Sequence, residues 1–327
     1  MILDCSSSNS RKIIKPKITH PLRTKQHVVF ENLKIDVNAI KWFYIVGKKK
    51  DNDKSNKIRE KVISAIINNK IPPSFYKAPK WAKIKKDIDD FIDDLALEHD
   101  IEQIDSIKCI MKGGRKFHHD FEIVINNSNT FNIEFKFNVT HLDQAPQFVS
   151  PHKPSRFLQL NYEEFFYDNY LGDLVMKYNF ESPDKQIYLS TIHGPKPECV
   201  KMLQLKYYQG CSSSSKYTGD TDCVNFYNDF KKASKDSIEE FINNSDLLID
   251  KLSDYLLDTQ SGKFYMLYTN QGINLYHIKA SNYRIKSYTK HPDKSKYIAT
   301  TESGLKLNIL LRWKNGNGIA YPAFQIK

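Results

Sequence analysis

Residues 114–138 read GRKFHHDFEIVINNSNTFNIEFKFN. Two runs, each largely alternating apolar and polar residues, flank a short Asn/Ser link, the pattern of a hairpin. Strand side chains alternate between faces with period two. Phe117, Phe121, Ile123 and Ile125 therefore share one face with Phe131, Ile133, Phe135, Phe137 and Val139. The opposite face gathers Asp120, Glu122, Glu134 and Lys136. Cross-strand neighbours sit about 4.5–5.5 Å apart, so carboxylates held there repel one another unless a cation neutralises them. Mg²⁺ suits such a place, because it is a hard ion that takes one or two carboxylates together with water and phosphate oxygens. It lowers the pKa of a bound water and stabilises charge building on a phosphodiester. Lys136, on the same face, is placed to act on the attacking water or on a phosphate oxygen.

The chain on either side extends the pattern. Trp81, Ile84, Ile88, Phe91, Ile92 and Leu95 recur at helical spacing, with Lys and Asp opposite them. Three strands are predicted next, over 106–112, 116–126 and 130–138. A polar, proline-containing loop covers 140–156. An aromatic-rich helix is predicted over 157–178 and a further strand over 185–193. The order is helix, three strands, helix, strand.

Asp120, thirteen residues, then Glu134-Phe135-Lys136 resembles the PD-(D/E)XK nuclease superfamily, whose common core has this same element order. The resemblance covers residues 81–193, about a third of the chain. It implies an α/β, restriction-endonuclease-like fold in which Asp120 and Glu134 bind metal and Lys136 assists the water. It also implies that the Phe135 carbonyl can ligate the metal. His119 stands where the family usually has proline. Glu98, at the end of the first helix, and Glu122 are candidate supporting acids. Gln147 or Gln159 could position substrate or water, as a later Gln does in some relatives. The expected cofactor is Mg²⁺, with Mn²⁺ able to substitute.

A ββα-metal site built on His118 and His119, with His141 as a later ligand, needs a helix directly after a short hairpin. A second long strand follows instead. His119 reads as a core histidine and His118 as a phosphate contact.

The chain has 327 residues, 49 Lys and Arg against 38 Asp and Glu, and a net charge of +11. That excess favours polyanionic partners, nucleic acid first. Only seven of the 49 are Arg; with the many Ile, Asn and Tyr this looks like AT-rich coding bias, so the charge alone carries little. Five cysteines without a CxxC pair fit a reducing interior better than zinc or a disulfide framework. No stretch approaches the roughly 18 apolar residues of a membrane span, so an intracellular, soluble protein is expected, in cytoplasm, nucleoid or nucleus.

The expected organisation is a basic arm over 1–27, a helical and loop extension over 28–80, the nuclease core over 81–195, and a helical then β-rich region over 196–327. KKKDNDKSNK (48–57) reads as a solvated loop before a helix, and the last 65 residues read as a β meander. Candidate nucleic-acid contacts are His118, Lys153, Arg156, Arg312, Trp313 and Lys314, the last three leading into a Gly/Asn turn. The functional expectation is a Mg²⁺-dependent phosphodiesterase cutting DNA, a restriction-type endonuclease, with DNA and a second copy of the chain (a homodimer) as the candidate partners. The alternatives are a structure-directed repair or end-processing nuclease, a non-catalytic nucleic-acid-binding protein on the same scaffold, and a nuclease acting on RNA.

Overall fold

The computed structural model describes residues 26–45, 52–113, 117–142, 148–150, 152–193, 211–213, 216–217, 221–260, 262–314, 318–319 and 321–327. In chain order, a small hairpin of β1 (His27–Phe30) and β2 (Leu33–Asp36) leads into a 3-10 turn, Val37–Phe43. Helices α1 (Asn52–Ile67) and α2 (Pro79–Glu98) follow. Next come strands β3 (Ile107–Met111), β4 (Phe121–Ile125), β5 (Asn129–Phe137) and the two-residue β6 (Phe148–Val149). A helical stretch is made of α3 (Tyr162–Phe166), a π turn (Tyr167–Leu171) and α4 (Gly172–Lys177), and α5 (Lys185–Thr191) follows it. A short pair, β7 (Cys211–Ser213) and β8 (Lys216–Tyr217), precedes the long helices α6 (Thr221–Asn244) and α7 (Ile249–Gln260). Six strands close the chain: β9 (Lys263–Thr269), β10 (Gly272–His277), β11 (Ile285–His291), β12 (Lys296–Thr301), β13 (Lys306–Trp313) and β14 (Pro322–Ile326).

The molecule is mixed α/β with two five-stranded sheets. The first has the order β10-β9-β5-β4-β3 and the second β11-β12-β13-β14-β6. In the first sheet β3, β4 and β5 form an antiparallel meander, β9 runs parallel to β5, and β10 turns back against β9. The second sheet is antiparallel throughout. β6 lies between β5 and α3 in sequence yet pairs with β14, so the chain crosses from one sheet to the other immediately after the carboxylate hairpin.

Burial follows the period-two reading of that hairpin. Phe121, Ile123, Ile125, Phe131, Ile133 and Phe135 are all buried in one cluster with the apolar faces of α1 and α2. Phe117, expected on the same face, is 40% exposed, because β4 starts four residues after it. β9 is buried on both sides: Phe264, Met266 and Tyr268 face the α1/α2 layer, while Tyr265 and Leu267 join a second cluster. That second cluster draws on α3 to α7 and the second sheet. A strand covered on both faces has no polar side, which accounts for the continuous run FYMLY after Lys263.

Several expectations change. The predicted strand at 185–193 is the helix α5: Asp184 caps it by accepting from the Ile187 N–H at 2.9 Å. Tyr188 and Ile192 are buried while Ser190 between them is exposed; a strand would put all three on one face, whereas a helix turns Ser190 away. The strand that completes the meander is β9, some 75 residues further on, so the first sheet draws on residues outside 81–195. The hairpin β9–β10 belongs to that sheet, and only β11–β14 form the expected terminal meander. Helix α1 takes in Asn52–Lys57 of the expected loop, whose residues 48–51 lie outside the described residues. So do residues 1–25 of the basic arm and most of 196–222. Among the described residues no helix is long and apolar enough to cross a membrane.

Candidate functional site

Asp120 immediately precedes β4. Its backbone N–H donates to the Ile133 carbonyl at 2.9 Å, the residue already opposite Phe121, so Asp120 and Phe121 both stand against Ile133 at the start of the strand. Its carboxylate accepts the Phe135 N–H at 2.9 Å. The side chain is thereby tied to the backbone between Glu134 and Lys136, so the hairpin itself brings Asp120 to the other two. Lys136 Nζ donates to Glu134 Oε1 at 2.6 Å, and both side chains are only 14% exposed.

The fourth strand adds a residue with no signal in the sequence motif. In the β5/β9 register Lys263 lies opposite Asn132, on the face that carries Glu134. Its ammonium donates to the His118 carbonyl at 2.6 Å and lies 3.4 Å from Glu134 Oε2, with 2% of the side chain exposed. Glu134 therefore has an ammonium at each oxygen. Burial pushes its carboxyl up, but Lys136 and Lys263 outweigh that and leave it below the usual range. For Lys263 burial dominates and lowers the ammonium's pKa despite Glu134.

Helix α1 supplies an acid from above. Arg59, buried, donates to the Trp42 carbonyl at 2.7 Å and to the Ile45 carbonyl at 3.1 Å, and its guanidinium lies 3.4 Å from the Phe137 ring centroid. This clamp sets the rotation of α1. Asn56, Lys57, Glu60 and Lys61 then face a cleft of about 630 Å³, whose lining also includes Glu31, Lys112 and Asp120. Asp120 takes up the resulting electrostatic load. Burial first, then the charges of Glu134 and Glu60, raise its carboxyl far above the usual range, against the opposing Phe135 hydrogen bond and Lys136. Burial and the neighbouring carboxylates thus push Asp120 up, while the two ammonium groups hold Glu134 down.

Other residues singled out in the sequence are placed as follows. Glu122 turns to Lys112, Nζ to Oε2 3.0 Å. His119, expected in the core, is instead half-buried beside Glu122 on the polar face, its Nε2 3.6 Å from Oε1, too long for a hydrogen bond. His118 stands between Glu134 and Asp258, both of which act on its charge, while burial and Lys263 lower its pKa. Glu98 is not part of the cluster; it ends α2, where its charge acts on His277 of β10. Gln159 is not part of it either: it is exposed, and its N–H donates to the Asp246 carbonyl between α6 and α7. Gln147 lies outside the described residues. Lys153 is spent on the Leu189 carbonyl at 2.6 Å, whereas Arg156 is exposed. Trp313 is not a surface aromatic. It is 1% exposed, donates from Nε1 to the Tyr162 hydroxyl at 2.8 Å and packs on Phe166. Arg312 is held by Gln325 and by the Lys314 carbonyl, and Lys314 is exposed.

Glu60 and Lys263 were missed for different reasons. Glu60 sits on a helix that precedes the expected core helix, in a stretch where only the amphipathic pattern was legible. Lys263 opens an apolar strand and reads as a flanking charge.

Among the described residues no three His, Cys, Asp or Glu side chains are grouped closely enough to hold a metal ion by themselves. The donors present nevertheless fit a hard cation that keeps water and phosphate ligands. Asp120 is a buried carboxyl loaded by two further carboxylates, and a divalent cation beside it would relieve that repulsion. Asp120 and Glu134 would hold it, with Glu60 near enough to contribute charge.

No protein-family model matches the chain, and no curated protein or solved structure matches it.

Proposed function

We propose that the protein is a Mg²⁺-dependent nuclease of the PD-(D/E)XK type, cutting DNA phosphodiester bonds. The observation that carries this reading is the Asp120 carboxylate bound to the Phe135 N–H, which puts the acid before β4 against the Glu134-Phe135-Lys136 run of β5. The sheet supports it as well. A preceding helix, an antiparallel meander and a later strand parallel to its third member are compatible with a restriction-endonuclease-like core, with β6 to β8 and the helices α3 to α7 inserted before that last strand.

The bound cation would supply Lewis-acid stabilisation of the phosphate and a more acidic water. Asp120 and Glu134 would hold it. Lys136, with 14% of its side chain exposed and anchored on Glu134 Oε1, is placed to steady the attacking water or the charge that develops on a phosphate oxygen. Lys263 fixes the second Glu134 oxygen and the backbone at His118. Lys57, Lys61 and Lys112 line the cleft beside Asp120 and offer charge to the neighbouring phosphates. A restriction-type endonuclease is the preferred role, with a structure-directed or end-processing nuclease using the same chemistry as its rival.

The second reading is a nucleic-acid-binding protein without catalysis. It is favoured by one observation: both Glu134 oxygens already meet ammonium groups. Incubating the protein with supercoiled and linear plasmid in Mg²⁺, and separately in EDTA, decides between them. Mg²⁺-dependent nicking or linearisation that EDTA abolishes is the expected result. Binding with intact plasmid under both conditions overturns the nuclease reading.

A further inference from the structure

Beyond His118 lies a cavity of about 570 Å³ walled by Ser155, Arg156, Phe157, Lys251, Asp254, Tyr255 and Asp258. It adjoins the candidate site. The His118 ring meets Tyr255 edge-on, with centroids 6.3 Å apart, and the charge of Asp258 acts on His118. The volume lies within the roughly 300–1,000 Å³ of small-molecule sites.

Its chemistry is divided. Arg156 and Lys251 are exposed cations. Asp254 and Asp258, four residues apart on α7, are exposed carboxylates on one face of the helix. Among the described residues no hydrogen bond or ion pair occupies either carboxylate. Phe157 and Tyr255, 4.9 Å apart and tilted by 33°, form the floor, with His152 against Tyr255 at 5.2 Å. A cavity meant only for backbone phosphates would not carry two aspartates, since they repel the ligand. Carboxylates accept instead from the exocyclic amino groups that cytosine and adenine present. The floor is apolar, Phe157 being 1% and Tyr255 8% exposed, which suits the edge of a base, and the flanking cations suit its phosphates.

We infer that this cavity receives an unpaired nucleotide next to the scissile phosphate, its base directed to Asp254 and Asp258 and its phosphate to Arg156 and Lys251. The inference rests on the nuclease reading only for the word scissile. A base enters a cavity only when it has left the duplex stack, so the substrate class is a strand that is single-stranded, frayed or locally opened at the cutting point.

The test uses the full chain carrying Asp120→Asn, in EDTA, so that nothing is cut. Fluorescence anisotropy is measured with oligo(dC), oligo(dT), which has no exocyclic amino group, and a duplex. The expected order is oligo(dC) at least about tenfold tighter than oligo(dT), with the duplex weaker than oligo(dC). Asp254→Asn with Asp258→Asn should erase the base preference. Arg156→Ala with Lys251→Ala should weaken both oligonucleotides by a similar factor. Circular dichroism confirms folding of each variant. Equal affinity for oligo(dC), oligo(dT) and the duplex overturns the inference, as does a preference that survives the double Asn variant. A confirmed pocket in a protein whose wild type cuts neither plasmid nor oligonucleotide would leave this inference standing and remove the nuclease reading instead.

Discussion

Lys263 Nζ lies 3.4 Å from Glu134 Oε2, with 2% of the lysine side chain exposed. Two residues 129 positions apart are joined because β9 runs parallel to β5 and brings the start of one strand beside the middle of the other. The same ammonium holds the His118 carbonyl, so it also ties the loop carrying Asp120 to the sheet. Breaking a buried pair by removing one partner typically costs about 3–5 kcal/mol. Glu134 retains Lys136, so the low end applies. Lys263→Met is expected to destabilise the protein by about 3 kcal/mol, read from urea denaturation. A loss under about 0.5 kcal/mol would mean that the contact contributes nothing.

Asp120 links function and stability with opposite signs. Its carboxyl is raised in the folded protein from an ordinary value of 3.8 to about 8, by burial first and then by Glu134 and Glu60. Between those limits the unfolded chain has lost the proton while the folded one keeps it. The folded state binds more protons, so this group's contribution to stability falls as pH rises through that window and levels off above it, by at most about 1.4 kcal/mol per pH unit. Asn can accept the Phe135 N–H yet carries no proton to lose. Asp120→Asn should therefore abolish Mg²⁺-dependent cleavage while melting above the wild type at pH 8, with the gap closing toward pH 4. Thermal scans in EDTA across that range measure it; a gap independent of pH would refute the assignment.

Lys136→Ala separates binding from chemistry. Lys136 sits on Glu134 within the site and not along the cleft wall, so it is proposed to act on the water or on transition-state charge. Losing one such contact typically costs about 10²–10³ in rate. Single-turnover cleavage should slow by that factor while the affinity for DNA, measured in Ca²⁺, changes less than about threefold. A matching loss of affinity with an unchanged single-turnover rate would make Lys136 a simple phosphate contact.

The hairpin was legible because its period is local: alternation alone placed Asp120, Glu134 and Lys136 on one face and buried Phe121, Ile123, Ile133 and Phe135. Helix α2 was legible for the same reason. Lys263 and Glu60 were not, because what makes them part of the site is strand order and helix rotation, both set by distant contacts such as Arg59 with the Trp42 carbonyl and the Phe137 ring. The α5 segment misled because KQIYLSTIH is rich in β-branched and apolar residues. The Asp184 cap, and an exposed Ser190 between the buried Tyr188 and Ile192, decide it. In LLRWK the alternation correctly gives a strand, yet a Trp beside two cations reads equally as a stacking surface or as core.

Trp313 tests that last distinction. Its ring is buried among Tyr162, Phe166 and Ile319, and its Nε1–H donates to the Tyr162 hydroxyl, which in turn lies 3.0 Å from Ser237 Oγ. Gly318 packs just as tightly. It has φ +74°, and a Cβ there would stand 2.7 Å from Ser234 Oγ and 2.9 Å from Phe166 Cζ. A buried aromatic truncated to alanine typically costs about 3–5 kcal/mol, and here the Tyr162 hydroxyl also loses its donor. Trp313→Ala is expected to fall in that range, and Gly318→Ala to cost about 1–3 kcal/mol through left-handed backbone strain and the clash. For a residue that instead stacked on a base, Trp313→Ala would leave the melting temperature nearly unchanged and weaken single-strand binding by about 1–3 kcal/mol. Denaturation and anisotropy on the same preparation separate the two, and an undiminished melting temperature would move Trp313 out of the core and onto the binding surface.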